Sequence, residues 1–569
     1  MTISKMYGTA VEKIQSYISK LTLNNAEPIE INANDIVIFV GPNNAGKSQM
    51  LRDIRQKAEK DVPTVIISDV ILTKSAGSLY EYLNSIAQEE KKGSYSNYRV
   101  MGKTVLYSQG SDESFKVEPR LGTVTDFFIA NLTTESRLTI CKQTSSITPD
   151  SPKTHPIHYA AFDEKFSTFL SENFKRAFGK GIIVDTHYGA AFTLRISDDI
   201  ILTEEYKNET KRQAAYAKKL SECPKIHDQG DGIKSFSGIL LYLMLDYYYT
   251  YLIDEPEAFL HPPQAKILGH ILGKTLSPRQ QAFISTHSAD FIKGVLESAS
   301  DRVKIVRITR PRENENKFSI LDNEKISDLW KDPLLKHSDI MDGMFYKNVV
   351  ICESDADCRF YSMVNAYLKE QQQKFSETLF VHCGGKGRMK KVVQALRSLN
   401  IDFRVVPDID LLNNKQTLID LVEACGGTWD KDVDYNTLVD GLEKVKNSTG
   451  NEILEQIKNE LGAEVTQPLS RTKIEKLQKL LVVKTNWDQI KRFGIAGAPS
   501  GNANKALNNL LIFLKGLNIH LVPCGELECF IKTIGGHGPD WLNNVLENYP
   551  DIGTDEYSAA RDFVTSWNL

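Results

Sequence analysis

The sequence predicts an α/β protein of two domains, the second of which contains a parallel sheet. Three observations lead to this prediction. The apolar run Ile36–Val40 enters a glycine-rich loop and then a helix. Two later apolar runs end in Asp254 and at His287, and residues 346–410 alternate strand-like runs with helical segments. Strands that alternate with helices are typical of βαβ units.

The glycine-rich loop has the pattern G-x-x-x-x-G-K-[ST] between a strand and a helix, which predicts a nucleoside triphosphate site. Ahead of it, apolar spacing predicts a short helix over Val11–Leu21. Backbone N–H groups of such a loop and the following helix N-terminus surround phosphates. Lys47 is expected on the β- and γ-phosphates and Ser48 on Mg²⁺. Other predicted contacts from the loop are Asn43, Asn44, Gly46 and Gln49. The alternative is a glycine-rich turn that binds nothing.

Composition indicates an ordinary globular protein with no membrane role. The 569 residues are 41% hydrophobic and 25% charged, with a formal net charge of −4, so nucleic acid would have to bind at local basic patches. The eight cysteines form no C-x-x-C pair, which predicts reduced thiols and no zinc site. The N-terminus lacks the apolar core of a signal peptide. We therefore expect a cytoplasmic protein.

An apolar run that ends in two acids follows in the same half of the chain. Asp254 is expected to hold Mg²⁺ beside Ser48, and Glu255 to orient the attacking water. His287 ends the next apolar run, at the edge where such sheets bind nucleotide, and is a candidate γ-phosphate contact. The alternatives are a chance pair of acids and a structural histidine.

These segments, with Ala258-Phe-Leu-His-Pro262 between them, resemble ABC-type ATPases, the group that includes the SMC and RecF proteins. The resemblance implies a glycine-rich signature about two dozen residues before Asp254, which falls on Gly230, Asp231 and Gly232. In that family the signature completes the nucleotide site of a second protomer, so a homodimer or higher homo-oligomer is implied. Gln109 is a candidate glutamine-loop residue. The expected ATPase domain spans 1–335, with a helical, dimerisation-type insertion at about 120–225.

Acidic residues follow strand-like runs again after residue 340. Glu353 ends one run and Asp357 lies on the next helix, while Asp408 and Asp410 end a later run. Alternate residues share one face of a strand, so the last two acids are expected to bind one metal. Carboxylate oxygens suit Mg²⁺, Mn²⁺ or another hard divalent ion. The alternative is a solvated rim of loop ends. The run Asn518–Glu528 is expected to be a further strand whose Glu526 and Glu528 supply a second metal.

The order E-x-x-x-D, then D-x-D, resembles the TOPRIM domain of topoisomerases, primases and nucleases. An ABC-type ATPase followed by TOPRIM resembles the OLD (overcoming lysogenization defect) family of nucleases. The resemblance implies a TOPRIM domain at 336–569 with a helical insertion at about 411–490. It further implies ATP-dependent cleavage or nicking of DNA, two-metal chemistry, homo-oligomers and a part in bacterial defence against phage. Some members act with a retron reverse transcriptase and its DNA–RNA product. The implied metal ligands are Glu353, Asp357, Asp408, Asp410, Glu526 and Glu528.

The family also uses a lysine beyond the last acidic strand, and this sequence has no clean match. Lys532, His537 and Lys386 are the candidates for that cation. The stretch Gly384–Lys391 is also the best local basic patch for a DNA backbone.

The preferred function is therefore an ATP-regulated, divalent-metal-dependent DNA endonuclease or nickase. The main alternative is a non-cleaving DNA-binding ATPase of the SMC or RecF kind. A third, topoisomerase- or primase-like chemistry, would need a nucleophilic tyrosine domain or nucleotide incorporation.

Overall fold

The computed structural model divides the chain into two compact units, Met1–Phe345 and Tyr346–Leu569. The sequence-based boundary lay between residues 335 and 336. The structure describes residues 14–24, 26–100, 103–108, 110–151, 153–187, 189–197, 210–245, 247–312, 315–324, 326, 331, 339–443, 450–461, 469–470, 473–474, 477 and 487–569. Among these residues no helix combines the length and the apolar character needed to cross a bilayer.

The first unit consists of short sheets and the helices that cover them. Its strands are β1 (Ser16–Leu23), β2 (Ile29–Glu30), β3 (Ile36–Val40), β4 (Ile67–Lys74), β5 (Gln88–Lys92), β6 (Tyr95–Val100), β7 (Lys103–Ser108), β8 (Ile129–Leu132), β9 (Thr144–Ser145), β10 (Gly181–Asp185), β11 (Ala191–Ser197), β12 (Thr250–Asp254), β13 (Gln281–Ser285), β14 (Val303–Arg312) and β15 (Glu315–Leu321). Its helices are α1 (Lys47–Glu59), α2 (Leu79–Ile86), α3 (Ser111–Val117), α4 (Thr125–Phe128), α5 (Thr134–Thr139), α6 (Pro156–Phe162), α7 (Glu164–Phe178), α8 (Thr210–Glu222), α9 (Asp231–Leu243), α10 (Pro262–Thr275) and α11 (Ala289–Ala299).

The largest sheet of this unit has the order β15-β14-β3-β13-β12-β8. Its strands are parallel except β15, which runs antiparallel to β14. All five residues of β3 are buried, as expected for a strand covered on both faces. The order places β13 between β3 and β12. The carboxyl ends of these three strands therefore meet at one edge, where α/β sheets bind their ligands.

Two expectations for this unit are corrected. The predicted helix Val11–Leu21 is wrong where the structure describes it, because residues from Ser16 form β1, which pairs with β4. Region 120–225 contains helices but is not purely helical. It also contains β9–β11, and β8 belongs to the main sheet through its parallel pairing with β12. Gln109 lies outside the described residues.

The second unit has a small parallel sheet of β16 (Asn348–Cys352), β17 (Thr378–His382) and β18 (Asp402–Val406), in the order β17-β16-β18. Its described helices are α12 (Asp355–Gln371), α13 (Met389–Ser398), α14 (Lys415–Ala424), α15 (Asp432–Glu443), α16 (Gly450–Leu461), α17 (Trp487–Phe493), α18 (Asn502–Gly516), α19 (Gly538–Asn548) and α20 (Ser558–Thr565). Parts of the expected insertion at 411–490 lie outside the described residues.

Aromatic packing anchors α12, the helix that begins just after Glu353. The ring of Phe360 lies 5.6 Å from that of Trp541, and the ring of Tyr361 lies 5.3 Å from that of Trp567, centroid to centroid. All four side chains are almost fully buried in one cluster. The start of α12 is therefore held in place by the core.

The predicted strand Asn518–Glu528 is wrong as a strand. The segment lies beside β18 through a single parallel bridge, Val405 with Ile519, and bonds only intermittently beyond it. Pro407 has no N–H group to donate to this segment, so a continuous ladder cannot form. The segment still reaches the same sheet edge, because the N–H of Ile409 donates to the carbonyl of Gly525 at 3.1 Å.

Candidate nucleotide and metal sites

The glycine-rich loop joins β3 to α1 in the predicted strand–loop–helix arrangement. Gly46, with φ of 104°, occupies the N-cap of α1, and Asn44 before it also has a positive φ of 60°. Gly41 has φ of 143°, and a Cβ there would lie 2.0 Å from the carbonyl oxygen of Ile308. The loop therefore needs glycine for both its dihedral angle and its close approach to β14.

Lys47 is the buried cation of this loop. Its Nζ donates to the carbonyls of Gly41 and Pro42, each at 2.9 Å. Burial lowers the pKa of Lys47 to about 8, an effect that nearby acids, Glu255 first, partly oppose. Gln49 is engaged by its own helix, since its amide donates to Asp53 at 2.7 Å.

The acids at the carboxyl end of β12 lie beside the end of β13. Asp254 Oδ1 accepts a hydrogen bond from Ser285 Oγ. Glu255 Oε1 lies 3.2 Å from His287 Nε2. Burial, and then the charge of Lys47, lower the pKa of His287, while Glu255 opposes this shift. The structure thus brings together Lys47, Asp254, Glu255 and His287, all predicted from separate parts of the sequence.

Two residues of this site were missed by the sequence reasoning. Glu257 Oε1 accepts from the backbone N–H of His287 at 2.6 Å, and burial raises the pKa of Glu257. Arg137, fully buried on α5, donates to the carbonyls of Asp254 and Glu255 at 2.5 and 3.1 Å. The sequence Asp254-Glu-Pro-Glu257 contains a third acid, Glu257, which could have been predicted as part of the site. No sequence pattern near Arg137 indicates its contacts.

The candidate signature residues lie at the start of α9. Gly230 is the N-cap, and Asp231 pairs with Lys234 at 2.7 Å. A Cβ on Gly232 would lie 2.5 Å from the carbonyl oxygen of Phe259. The segment therefore packs directly on the loop that follows Asp254 and Glu255.

The predicted acids of the second unit converge at the carboxyl end of its sheet. Carboxylate oxygens of Glu353, Asp408 and Asp410 all lie within 4.8 Å of one another. The N–H of Asp408 also donates to Glu353 Oε1 at 3.2 Å. The expected reason, alternation along a strand, is wrong: β18 stops at Val406 before Pro407, and Asp410 lies in the 3-10 turn Ile409–Asn413.

Mutual repulsion and burial make this cluster a strong candidate for a cation. Burial, then the charges of Glu353, Asp357, Asp410 and Glu528, raise the pKa of Asp408 well above its usual value. Burial also raises the pKa of Glu353. Asp357 is outside the three-oxygen cluster and forms a capping box with Ser354, accepting its N–H at 2.8 Å.

A second group of possible ligands consists of Glu526, Glu528 and His537, again with ligand atoms within 4.8 Å of one another. Glu528 Oε1 accepts from the N–H of Gly538 at 2.8 Å and lies 3.5 Å from His537 Nδ1. Since the charge of Glu528 raises the pKa of both Asp357 and Asp408, the two groups interact electrostatically.

A lysine forms an ion pair with one acid of each acidic group. Lys386 Nζ lies 2.7 Å from Asp410 Oδ1, and Lys491 Nζ lies 2.6 Å from Glu526 Oε1. Lys532 lies over the ring of Phe493, 5.4 Å from its centroid. Lys491 on α17 precedes the last acids in the chain and was missed, because only the fold brings its helix to them.

Replacing Asp408 by asparagine should stabilise the metal-free protein. A carboxyl whose folded pKa is raised binds protons more strongly when folded, so stability falls as pH rises from about 4 through the raised value. We expect D408N to raise the Tm of the second unit at neutral pH, by ~2–4 °C for each kcal/mol of relieved repulsion, and to remove any rise in Tm caused by Mn²⁺.

Calorimetry in EDTA and in Mn²⁺ would measure both effects. Asp420→Asn is a suitable control, because Asp420 is a partly exposed acid of the same unit that lies outside the ligand groups and pairs with Lys390. An unchanged or lower Tm for D408N in EDTA would contradict the predicted repulsion.

Two family models match parts of the chain. Residues 225–292 match the model described as "AAA domain, putative AbiEii toxin, Type IV TA system", which covers α9, β12 and β13. Residues 344–410 match "Overcoming lysogenization defect protein-like, TOPRIM domain", which covers Glu353 to Asp410. Together with the fold, these matches define an ATPase domain followed by a TOPRIM domain in one polypeptide.

A curated relative adds to this assignment. The "Old nuclease" of Escherichia phage P2 is 24% identical over 168 residues, which are 28% of this chain and 28% of that protein. Together these matches support an ATPase–TOPRIM protein of the OLD kind, as the sequence resemblance indicated, and the predicted α/β fold class is confirmed.

Solved structures of SMC heads also align with the chain. One is an SMC head bound to the C-terminal winged-helix domain of ScpA, with a TM-score of 0.32, 14% identity and coverage of 55% of this chain and 99% of that one. Another, an SMC head with an extended coiled coil bound to ScpA from Pyrococcus furiosus, has a TM-score of 0.31, 13% identity and coverage of 56% and 99%. A likeness at this level says nothing about what the chain binds.

Proposed function

We propose that this chain is an ATP-regulated, divalent-metal-dependent DNA endonuclease or nickase that acts in bacterial defence against phage. The observation that carries the proposal is the convergence of Glu353, Asp408 and Asp410 within 4.8 Å in the TOPRIM domain. The name of the phage relative, a nuclease, supports the same reaction.

The donor set fits a hard divalent cation. Three carboxylates offer oxygen ligands of the kind that Mg²⁺ and Mn²⁺ take, and a cation would offset the burial and the like-charge repulsion that together raise the pKa of Asp408. Glu353, Asp408 and Asp410 would hold one ion, and Glu526 and Glu528 a second. Ions in such a pair activate water and stabilise the leaving oxygen of a phosphodiester.

The chain's own cations have complementary roles in this proposal. Lys386 and Lys491 each pair with an acid of one group, so both reach the place where a scissile phosphate would bind. The exposed side chains of Arg388 and Lys391 would contact phosphates of the DNA backbone. DNA affinity should therefore fall as the salt concentration rises.

The ATPase domain would bind ATP through the loop that contains Lys47. Ser48 and Asp254 would share Mg²⁺, and Glu255 would orient water while His287 contacts the γ-phosphate. Gly230–Gly232 would complete the site of a second copy in a homodimer or higher oligomer. A retron reverse transcriptase with its DNA–RNA product stays a prediction, which reconstitution would test.

The test is a cleavage assay on supercoiled plasmid and single-stranded DNA, with Mg²⁺ or Mn²⁺ and with or without ATP. We expect nicked or linear product that disappears in EDTA. A protein that binds DNA and hydrolyses ATP yet leaves every substrate intact would instead be the non-cleaving SMC- or RecF-like ATPase.

A further inference from the structure

Arg137 is a fully buried cation to which the proposed nuclease and ATPase reactions assign no role. Its relative exposure is 0%, and its five hydrogen bonds in the described part of the chain all go to uncharged oxygens. The acceptors are the carbonyls of Leu132 (3.1 Å), Asp254 (2.5 Å) and Glu255 (3.1 Å) and the hydroxyls of Thr134 (3.4 Å) and Ser235 (3.1 Å). A buried guanidinium is costly unless its donors are satisfied, so this fork of acceptors is a specific arrangement.

The bonds of Arg137 join three elements of the ATPase domain. Leu132 ends β8, Asp254 ends β12 and is followed by Glu255, and Ser235 lies in the first half of α9. Helix α9 begins with the candidate signature residues. The side chain of Arg137 therefore connects α9, the signature helix, with Asp254 and Glu255, the acids proposed to hold Mg²⁺ and to orient water.

The main chain of Arg137 is fixed to α9. A Cβ on Gly238 would lie only 2.2 Å from the carbonyl oxygen of Arg137, so the two helices are in backbone contact. Cys141 Sγ lies 3.2 Å from the carbonyl oxygen of Lys234 and holds the end of this segment to α9 as well. Displacement of α9 would therefore carry α5 and Arg137 with it.

The guanidinium of Arg137, in contrast, donates a hydrogen bond to Glu255, whose backbone is in an unfavourable conformation. Glu255 has φ of 48°, in the left-handed region that non-glycine residues rarely adopt. Its carbonyl accepts from Arg137, and its own N–H donates to the carbonyl of Ser285 at 3.0 Å. These bonds hold the backbone that directs the Glu255 carboxylate towards His287.

We propose that Arg137 is a positioning residue of the ATPase site, which holds Glu255 in its hydrolytic orientation and makes that orientation depend on the position of α9. The inference rests on the proposed ATPase function. The signature helix α9, which would contact the nucleotide bound by a second copy, would in this way also control ATP hydrolysis in its own chain.

The test compares ATP hydrolysis and ATP affinity in full-length Arg137→Lys and Arg137→Met. Lysine keeps the charge but cannot form the fork, so both variants should lose the geometry of Glu255. We expect kcat to fall by roughly 10²-fold, the cost of misplacing a catalytic group by about 1 Å. ATP affinity, measured by calorimetry, should stay within about threefold, because the phosphate loop is untouched.

Arg195→Lys is the matched control. Arg195 is also a buried arginine of this unit, but it pairs with Asp185 at 2.6 Å, on a different sheet. Its replacement should lower the Tm without changing kcat. Ser235→Ala removes only the hydrogen bond from the Arg137 guanidinium to α9. It should lower kcat by about fivefold at unchanged ATP affinity. This variant tests the inference even if both Arg137 variants fail to fold.

Unchanged kcat in Arg137→Lys or in Ser235→Ala, or an equal loss of kcat and ATP affinity in the Arg137 variants, would overturn the inference. Wild-type protein without ATPase activity would overturn the ATPase proposal and this inference together. Active wild type with unaffected variants would overturn the inference alone.

Discussion

Lys47→Ala is expected to abolish ATP hydrolysis and to weaken ATP binding by at least ~100-fold. Charge-assisted hydrogen bonds contribute about 1.5–3 kcal/mol each, and Lys47 would make two or more to the β- and γ-phosphates. Every ~1.4 kcal/mol corresponds to tenfold in affinity. Calorimetric titration with ATP and a phosphate-release assay measure the two effects.

Lys57→Ala is the control for this experiment. Lys57 is a buried lysine on the same helix, and its Nζ pairs with Asp61 at 2.8 Å, near the opposite end from the loop. It should change stability but not hydrolysis. Full ATPase activity in Lys47→Ala would refute the nucleotide site. The cleavage rate of the same variant would show whether ATP activates or restrains the nuclease.

The double variant Asp408→Ala with Asp410→Ala is expected to lose DNA cleavage by at least ~10³-fold. Losing the metal removes several kcal/mol of transition-state stabilisation, and ~4 kcal/mol is already a factor of 10³. ATP hydrolysis should continue, because these acids lie in the second compact unit and the nucleotide residues lie in the first. Single-turnover cleavage and phosphate release, measured on one preparation, separate the two activities.

Asp555→Ala with Glu556→Ala controls for the loss of two charges, since both acids are exposed in the same unit and outside the two ligand groups. This variant should cut DNA normally. If the Asp408 and Asp410 variant still cuts, the metal assignment is wrong. If both double variants are inactive, stability rather than metal binding is the cause.

The local sequence pattern was sufficient to predict the strand–loop–helix structure of the glycine-rich loop. Gly41, Gly46 and Lys47 lie within a single strand–loop–helix unit, whose geometry depends on a few consecutive dihedral angles. The acids that follow strands were also found, because carboxyl ends of parallel strands meet at one edge. The alternation argument for Asp408 and Asp410 nevertheless failed, since Pro407 ends the strand before them.

Misassigned segments show where local pattern is insufficient. Residues from Ser16 have apolar spacing that also suits a helix, and only pairing with β4 makes them a strand. The segment at 518–528 has strand composition, but its neighbour β18 offers only intermittent partners. In both cases the deciding hydrogen bonds come from distant parts of the chain.

By itself the sequence determined the α/β class, the resemblance to ATPase–TOPRIM proteins and the residue types of two candidate sites, because these depend on residue type and short spacing. Only the tertiary structure decided which partners the charged side chains outside these patterns meet: Arg137 the backbone of Glu255, and Lys491 the carboxylate of Glu526. Such contacts join residues far apart in the chain, and electrostatic and hydrogen-bond energies depend on distances of a few ångströms that no local pattern encodes.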